Sequence, residues 1–236
     1  MVYERESITV AELKEILNTS ESTIRRDIIT LDKEGRLTKV FGGAIALHPA
    51  QIVNKELSMV QKQELQTTEK QAIARYAASL IEPDDCVYLD AGTTTGWMIE
   101  YIRQEKATYI TNALSHAKRL ADKGFNVILI GGEPKSSTDA IVGGEAVLNL
   151  QKYHFSKGFF GVNGVDRLSG FTTPDVKEAV VKQAAVKNTQ PAHRYFLTTS
   201  SKFGEVYAVT FAGFEGGTIL TEDNVSEVLP KSIEII

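Results

Sequence analysis

Arg25 and Arg26 stand side by side in "STIRRDIITLDKEGRLTKVFGG", Ser22 to Gly43, and Lys33, Arg36 and Lys39 follow within the same segment. An arginine guanidinium is a planar fork that matches guanine O6 and N7, while lysines and the hydroxyls of Ser20, Ser22 and Thr23 suit phosphate oxygens. This is chemistry for duplex DNA. A second concentration lies further on, where "VYLDAGTTTGWMI" closes an apolar run at Asp90 and passes through Gly92, Thr93, Thr94 and Thr95 into a helical pattern. Backbone amides, hydroxyls and the positive end of a helix dipole then converge, which is chemistry for a phosphate. Other apolar runs end in polar groups too: Asn112 after "ATYI", Gly132 after "VILI", Asn163 and Gly164 after "GFFGV", and Ser200, Ser201 and Lys202 after "RYFL". In open α/β sheets such strand ends share one ligand-binding rim.

Each set also has a plainer reading. Arg25 and Arg26 could be a solvated helix face paired with Glu21 or Asp27. A Gly/Thr loop before a helix is, alone, a good turn and cap. Ser200 or Ser201 beside Lys202 could form a nucleophile, although phosphate binding or a turn suits the string better.

The elements that must position these groups are legible along the chain. Thr9 followed by Glu12 is a capping box, and a helix from about Val10 to Leu17 should turn Leu13, Ile16 and Leu17 inward. Asn18 and Thr19 make a turn, and Ser20 caps a second helix running to about Glu34, where Gly35 stops it. Ile24, Ile28 and Leu31 recur at helical spacing as its buried stripe. Leu37 to Val40 alternates like a strand and ends at Gly42-Gly43, a wing. Residues 44 to 68, with Pro49, read as a linker with a partly helical second half. From Glu69 onward helices alternate with short apolar strands: helix 69 to 81, "CVYLD", helix 96 to 104, "ATYIT", helix 113 to 123 and "NVILIGG". "KGFFGVNG", a helix from about Asp175 to Asn188, "RYFLTT", "YAVTFA" and "GTILT" follow. That alternation predicts an α/β domain with a mostly parallel sheet.

The chain has 236 residues, a formal net charge of -4, 42% hydrophobic and 24% charged residues. An acidic balance excludes a whole-surface polyanion binder, so DNA contact must come from the local patch. The one cysteine, Cys86, lies in an apolar run and is expected to be a small buried hydrophobe. No disulfide is possible within the chain, which fits a reducing cytoplasm. His48, His116, His154 and His193 lack metal-ligand spacing, so no metal and no cofactor is expected. No apolar run is long enough to span a bilayer and the N-terminus lacks a signal-peptide core. A cytoplasmic protein with no membrane partner is expected.

"ITVAELKEILNTSESTIRRDIITLDKEGRLTKVFGGA" resembles the winged helix-turn-helix signature of the DeoR family of sugar-metabolism repressors. Ser20, Thr23, Ile24, Arg25, Arg26, Asp27, Leu31, Asp32, Gly35, Gly42, Gly43 and Ala44 carry the likeness. Family members normally have a full helix before this point, where here only Met1 to Glu6 stand. "LDAGTTT", "TNALSHAKRLA", "ILIGGEPK", "KGFFGVNGVD", "GFTTPDVKEAVVKQAA" and "SSKFGEVYAVTFA" resemble the family's sensor domain, which shares its fold with ribose-5-phosphate isomerase, glucosamine-6-phosphate deaminase and coenzyme A transferases.

The resemblance implies a winged helix-turn-helix DNA-binding domain at 1–45 with its first helix largely missing, a linker at 46–68 and a sugar-phosphate-sensing α/β domain at 69–236. It implies operator DNA and a phosphosugar as partners, in a homodimer or homotetramer. The Thr loop would hold phosphate, Asn112, Asn163 and Glu178 would lie near the sugar, and Lys202 would be a cationic phosphate partner. Many relatives carry Asp before the Ser-Ser-Lys string where this chain has Thr199. Likeness to fructose-operon repressors implies fructose 1-phosphate; lactose/tagatose-phosphate repressors share most of the same words. The rival is an isomerase or deaminase on the same scaffold. Asn163 stands where the isomerases place an acid and cannot act as a base, which leaves Asp90, Asp166 and Glu178.

Overall fold

The structure, a computed structural model, describes residues 1–5, 7–34, 36–46, 51–53, 62, 65–223 and 233–235. The first unit holds α1 (Val2–Arg5), β1 (Ser7–Thr9), α2 (Val10–Leu17), α3 (Glu21–Lys33), β2 (Leu37–Val40) and β3 (Gly43–Ala46). Thr9 caps α2 through the full capping box, and the Ser20 side chain accepts the Thr23 amide of α3. Caps at these two positions fix where each helix starts, so the angle between them is set locally. The three strands form a sheet in the order β1-β3-β2. Ile8, Val10, Leu13, Ile24, Ile28, Leu37 and Ala44 make the core beneath, with Val2 and Leu31 packed against it. Ile16 and Leu17 depart from expectation and are 41% and 49% exposed. They fall in the last turn of α2, whose buried residues are Val10 and Leu13.

After β4 (Gln51–Ile52) the second unit runs α4 (Thr67–Ser79), β5 (Cys86–Leu89), α5 (Thr93–Tyr101), β6 (Thr108–Thr111), α6 (Leu114–Asp122) and β7 (Asn126–Leu129). A hairpin of β8 (Glu133–Lys135) and β9 (Ala140–Val142), then α7 (Gly144–Leu150), leads to β10 (Lys157–Gly161). A second hairpin, β11 (Gly164–Asp166) and β12 (Gly170–Thr173), precedes α8 (Val176–Lys187). The chain continues through β13 (Arg194–Leu197), β14 (Glu205–Val206), β15 (Val209–Ala212), β16 (Thr218–Thr221) and β17 (Ile233–Ile235). Seven strands pair in parallel in the order β17-β16-β13-β10-β5-β6-β7.

Strand alternation decides which face each side chain covers. Val87, Leu89, Tyr109, Phe159, Tyr195 and Leu197 pack under α4, α5 and α6, while Tyr88, Ile110, Phe160 and Phe196 pack on the other face with α7 and α8. Both faces are covered, which is why these strands read as continuous apolar runs. Cys86, at the start of β5, is half-buried rather than enclosed. Gly35 and most of the linker, like residues 224–232, lie outside the described residues.

From β5 the chain winds outward to β6 and β7 and then returns to place β10 on the other side of β5. The winding direction reverses between those two strands, and their carboxyl ends must therefore part into a crevice. One buried ion pair pins the crevice floor. Asp90, 1% exposed at the end of β5, accepts from Lys182 of α8 and from the Gly161 amide at 3.1 Å. Lys182 also donates to the Gly161 carbonyl at 2.9 Å. Burial pushes the Asp90 carboxyl above its ordinary pKa, and the Lys182 ammonium opposes that shift. Removing one partner strands the other's charge in a dry site, which costs far more than removing both. Lys182→Met should therefore destabilise the fold by about 3–5 kcal/mol, and Asp90→Asn added to it should recover much of the loss. Denaturant unfolding checks this; a double variant as unstable as the single one would show that the pair is not the pin.

Candidate functional site

On the first unit, Ser22, Thr23, Arg25, Arg26 and Lys33 all lie on the exposed side of α3, opposite Ile24 and Ile28. Ser20 caps the helix and its hydroxyl meets those of Ser22 and Thr23 at 2.8 Å. Arg25 is engaged by Glu21 one turn earlier, with contacts of 3.0 and 2.5 Å, as the plainer reading of the sequence expected. That pair is solvent-exposed on both sides, so it presents the guanidinium without locking it. Arg26 is exposed beside it, and Arg36 lies 3.6 Å from Glu34 at the foot of the wing. Lys39 is exposed on β2, with its amide donating to Asp32 at 3.0 Å. The positive groups thus occupy one helix face and the hairpin next to it.

Asp32 also holds the second unit. Arg167, in the turn between β11 and β12, reaches its carboxylate at 3.0 Å. Burial alone would raise the Asp32 pKa, but the Lys39 amide and the Arg167 guanidinium outweigh it and hold the carboxyl below its ordinary value. The β11–β12 hairpin that carries Arg167 starts at Gly164, immediately after Asn163 of the crevice.

The crevice itself has two small lobes, about 70 and about 60 Å³, which share Lys62, Thr93, Thr94, Val162 and Asn163. The first lobe adds Gln66, Lys70, Thr199, Lys202 and Tyr207; the second adds Gly92, Thr138, Gly161, Glu178 and Lys182. Helix α5 starts at Thr93, three residues earlier than the sequence pattern suggested, and its N-cap Gly92 offers no side chain to the first amides. Those orphan donors and the positive end of the helix face the crevice together with the Thr93 and Thr94 side chains.

Five expected contact residues stand behind the walls or beneath the floor. The Thr95 hydroxyl is spent on the Asp90 and Gly92 carbonyls at 2.7 and 3.0 Å. Asn112 is 2% exposed; its side-chain oxygen accepts from Tyr88 and the Ala91 amide, and its nitrogen donates to the Ile141 carbonyl. Gly132 and Gly164 serve close backbone approach, since a Cβ on either would fall within 2.7 Å of Val142 or Glu205 carbonyl oxygen. Asp90 is likewise sealed beneath the floor.

The two rim carboxylates that could serve as acids, Glu178 and Asp166, are both engaged. Glu178 accepts from Thr138 at 2.5 Å and Lys135 at 2.9 Å, and Lys135 also meets Asp175 at 3.0 Å. Asp166 accepts the Leu168 and Ser169 amides and so shapes its own turn. Ser200 bonds to Glu222, Ser201 to Gln66 and Thr199, and Thr199 also to Gln66. Among the described residues neither serine is hydrogen-bonded to Lys202, whose ammonium lies 3.8 Å from Glu205. A serine–lysine nucleophile is not assembled here.

Sequence reasoning missed Lys62, Lys70, Lys182, Gln66 and Tyr207. Lys70 is 7% exposed and donates to the carbonyls of Lys62 and Leu65, the latter at 2.7 Å. Burial, then the nearby ammoniums of Lys202 and Lys62, push its pKa down to about 8. A signal existed for Lys182, which follows Glu178 by four residues inside the apolar helix pattern of "KEAVVKQAA". No three His, Cys, Asp or Glu side chains gather as a metal site among the described residues, and no helix among them is long and apolar enough to cross a membrane.

Residues 65–224 match the DeoR C terminal sensor domain, and residues 1–50 match the DeoR-like helix-turn-helix domain. The chain is 43% identical over 217 residues to a protein of Bacillus subtilis (strain 168) named uncharacterized HTH-type transcriptional regulator FruR, covering 92% of this chain and 84% of that one. It is 36% identical over 237 residues to the lactose phosphotransferase system repressor of Staphylococcus aureus (strain N315), covering 99% and 92%. Among solved structures it is similar to eIF2B delta from Chaetomium thermophilum (TM-score 0.43, 17% identity, 66% of this chain and 60% of that one). It is also similar to ribose 5 phosphate isomerase A from Neisseria gonorrhoeae (TM-score 0.42, 12% identity, 61% and 55%). With both family domains matched in order and relatives aligned along nearly its whole length, the chain belongs to the DeoR family of helix-turn-helix transcriptional regulators.

Proposed function

We propose that this regulator represses an operon for sugar uptake and catabolism, and that a phosphorylated sugar, fructose 1-phosphate before others, controls its hold on operator DNA. Residues 1–45 read DNA, 46–68 link, and 69–236 sense the sugar. Arg25 and Arg26 meet base edges, while Ser20, Ser22, Thr23, Lys33, Arg36 and Lys39 meet phosphates. The chain works as a homodimer or homotetramer, which pairs two heads on two half-sites.

The observation that carries this reading is the short covalent path from crevice to head. Asn163 lines both lobes of the crevice, and four residues later Arg167 grips Asp32 at the end of α3. A ligand that shifts Asn163 therefore acts on the DNA-reading helix through a single hairpin.

The crevice suits a small anion with several hydroxyls. Lys62, Lys70 and Lys202 come to one lobe beside the α5 N-terminus, where a phosphate belongs. Asn163, Glu178 and Thr138 line the other, where sugar hydroxyls find donors and acceptors. Catalysis is not part of the proposal, because Asp166 and Glu178 are held by other groups and Asp90 is sealed against Lys182.

A thermal-shift panel of fructose 1-phosphate, fructose 6-phosphate, fructose 1,6-bisphosphate, tagatose 6-phosphate, ribose 5-phosphate and glucosamine 6-phosphate tests the reading. At a hundred times its dissociation constant a ligand adds about 2.7 kcal/mol to the folded state. Fructose 1-phosphate should stabilise most and be recovered unchanged. Turnover of any member would favour an enzyme, and no shift with any of them would remove the phosphosugar.

Lys70 gives a pH signature. In the free protein its pKa lies near about 8, and a bound phosphate dianion raises it again. Affinity should thus hold below pH 8 and fall as pH rises through it, because binding above that pH must first add a proton. Calorimetry at pH 8 in buffers of different ionisation enthalpy should detect proton uptake that Lys70→Met abolishes; buffer-independent heats would place the phosphate elsewhere.

A further inference from the structure

The side chain of Phe41 does nothing for the fold of the head. It sits at the tip of the wing, 109% exposed, against 72% for Leu168 and 61% for Val176, the next most exposed of the large apolar side chains described. Nor does the turn require it. Val40 pairs with Gly43 across the hairpin, which leaves a two-residue loop of Phe41 and Gly42. Gly42 has φ +85° and Phe41 is not among the positive-φ residues, the pattern of a type II turn. Such a turn needs glycine at its second central position and accepts nearly any residue at its first.

A lone exposed aromatic is ordinary on a protein surface. Phe41 differs in where it is held. The Lys39 amide bonds to Asp32 of α3, and β3 pairs with β1 on its other edge, so the wing cannot swing freely relative to that helix. The ring therefore projects at a fixed offset from the face that carries Arg25 and Arg26, with the Lys39 ammonium on the same hairpin. When the second helix of such a head lies in a major groove, the hairpin meets the flanking backbone and the adjacent minor groove. Apolar side chains that enter the minor groove wedge between base steps and bend the duplex, selecting steps that deform easily.

We propose that Phe41 is the wedge of the wing: it enters the minor groove beside the α3 site and reads the deformability of a base step, while Lys39 neutralises the flanking phosphate. This rests on the reading of the chain as a DNA binder. Specificity of this kind comes from the shape of the duplex and needs no hydrogen bond to a base edge.

The test uses the duplex that the full chain selects from a random-sequence pool. Wild type, Phe41→Ala, Phe41→Trp and Lys39→Ala are titrated on it across a salt series. Phe41→Ala should bind roughly tenfold or more weakly, in the range found when an aromatic that stacks on a base is cut to alanine. Its salt slope and melting temperature should equal those of wild type, since the ring carries no charge and supports no core. Phe41→Trp should retain affinity, and Lys39→Ala should flatten the slope by about one unit. A flexible pyrimidine–purine step in the selected duplex, labelled with 2-aminopurine, should brighten with wild type and not with Phe41→Ala. Binding of Phe41→Ala within twofold of wild type, or a loss that flattens the salt slope, would overturn the wedge while leaving the DNA reader in place. Failure of wild type to select any duplex would remove both.

Discussion

The Asp90–Lys182 ion pair is the constraint on which the sensing half depends. A parallel sheet whose winding reverses between β5 and β10 opens a crevice there, and something must fix how far it opens. A buried carboxylate does so by accepting from Lys182 of α8 and from the first amide past Phe160 of β10. The same lysine bonds the Gly161 carbonyl, so sheet and helix are locked at one point. Docking α8 there also brings Glu178 to the rim, and with it Lys135 and Thr138 of the β8–β9 hairpin. Buried charge is costly, and it persists here only because each partner is fully engaged.

The link from sensor to head is of the opposite kind. Arg167 and Asp32 are each about a quarter exposed, so their pair is worth on the order of 1 kcal/mol. Couplings between ligand sites are typically about 1–3 kcal/mol. A coupling of that size is enough to break or remake this contact, which a deeply buried pair would resist. Asp32 also accepts from the Lys39 amide of the wing, so one carboxylate touches the β11–β12 turn, α3 and the hairpin together. A rigid floor and a weak latch are what the proposed switch needs: the first keeps the pocket, the second lets it report.

Much of this was legible because it is local chemistry. The capping box at Thr9, the cap at Ser20 and the Ile24–Ile28 stripe fix α2 and α3 from a few neighbouring residues, and β5, β6 and β10 announce themselves as apolar runs. The strands of the two hairpins, three or four residues each, gave no period to detect, and neither did the short α7. The threonines after Gly92 read as a loop leading into the helix, yet Thr95 joins α5, its hydroxyl bonding back to the Asp90 and Gly92 carbonyls. Lys70 and Lys182 were missed because lysine is rarely buried, and the partner that makes burial of Lys182 possible lies 92 residues away. Asn112 closes an apolar run and is placed near the sugar by the family resemblance, whereas its side chain is consumed by Tyr88 and two backbone groups. Position along a strand was readable; the direction a side chain faces depended on distant packing.

Coupling between crevice and head is measured most directly as the affinity of the full chain for its selected duplex with and without saturating fructose 1-phosphate. A change of roughly fivefold or more, mirrored by an equal change in sugar affinity when duplex is present, is the predicted result. Binding of the sugar with operator affinity unmoved would contradict it.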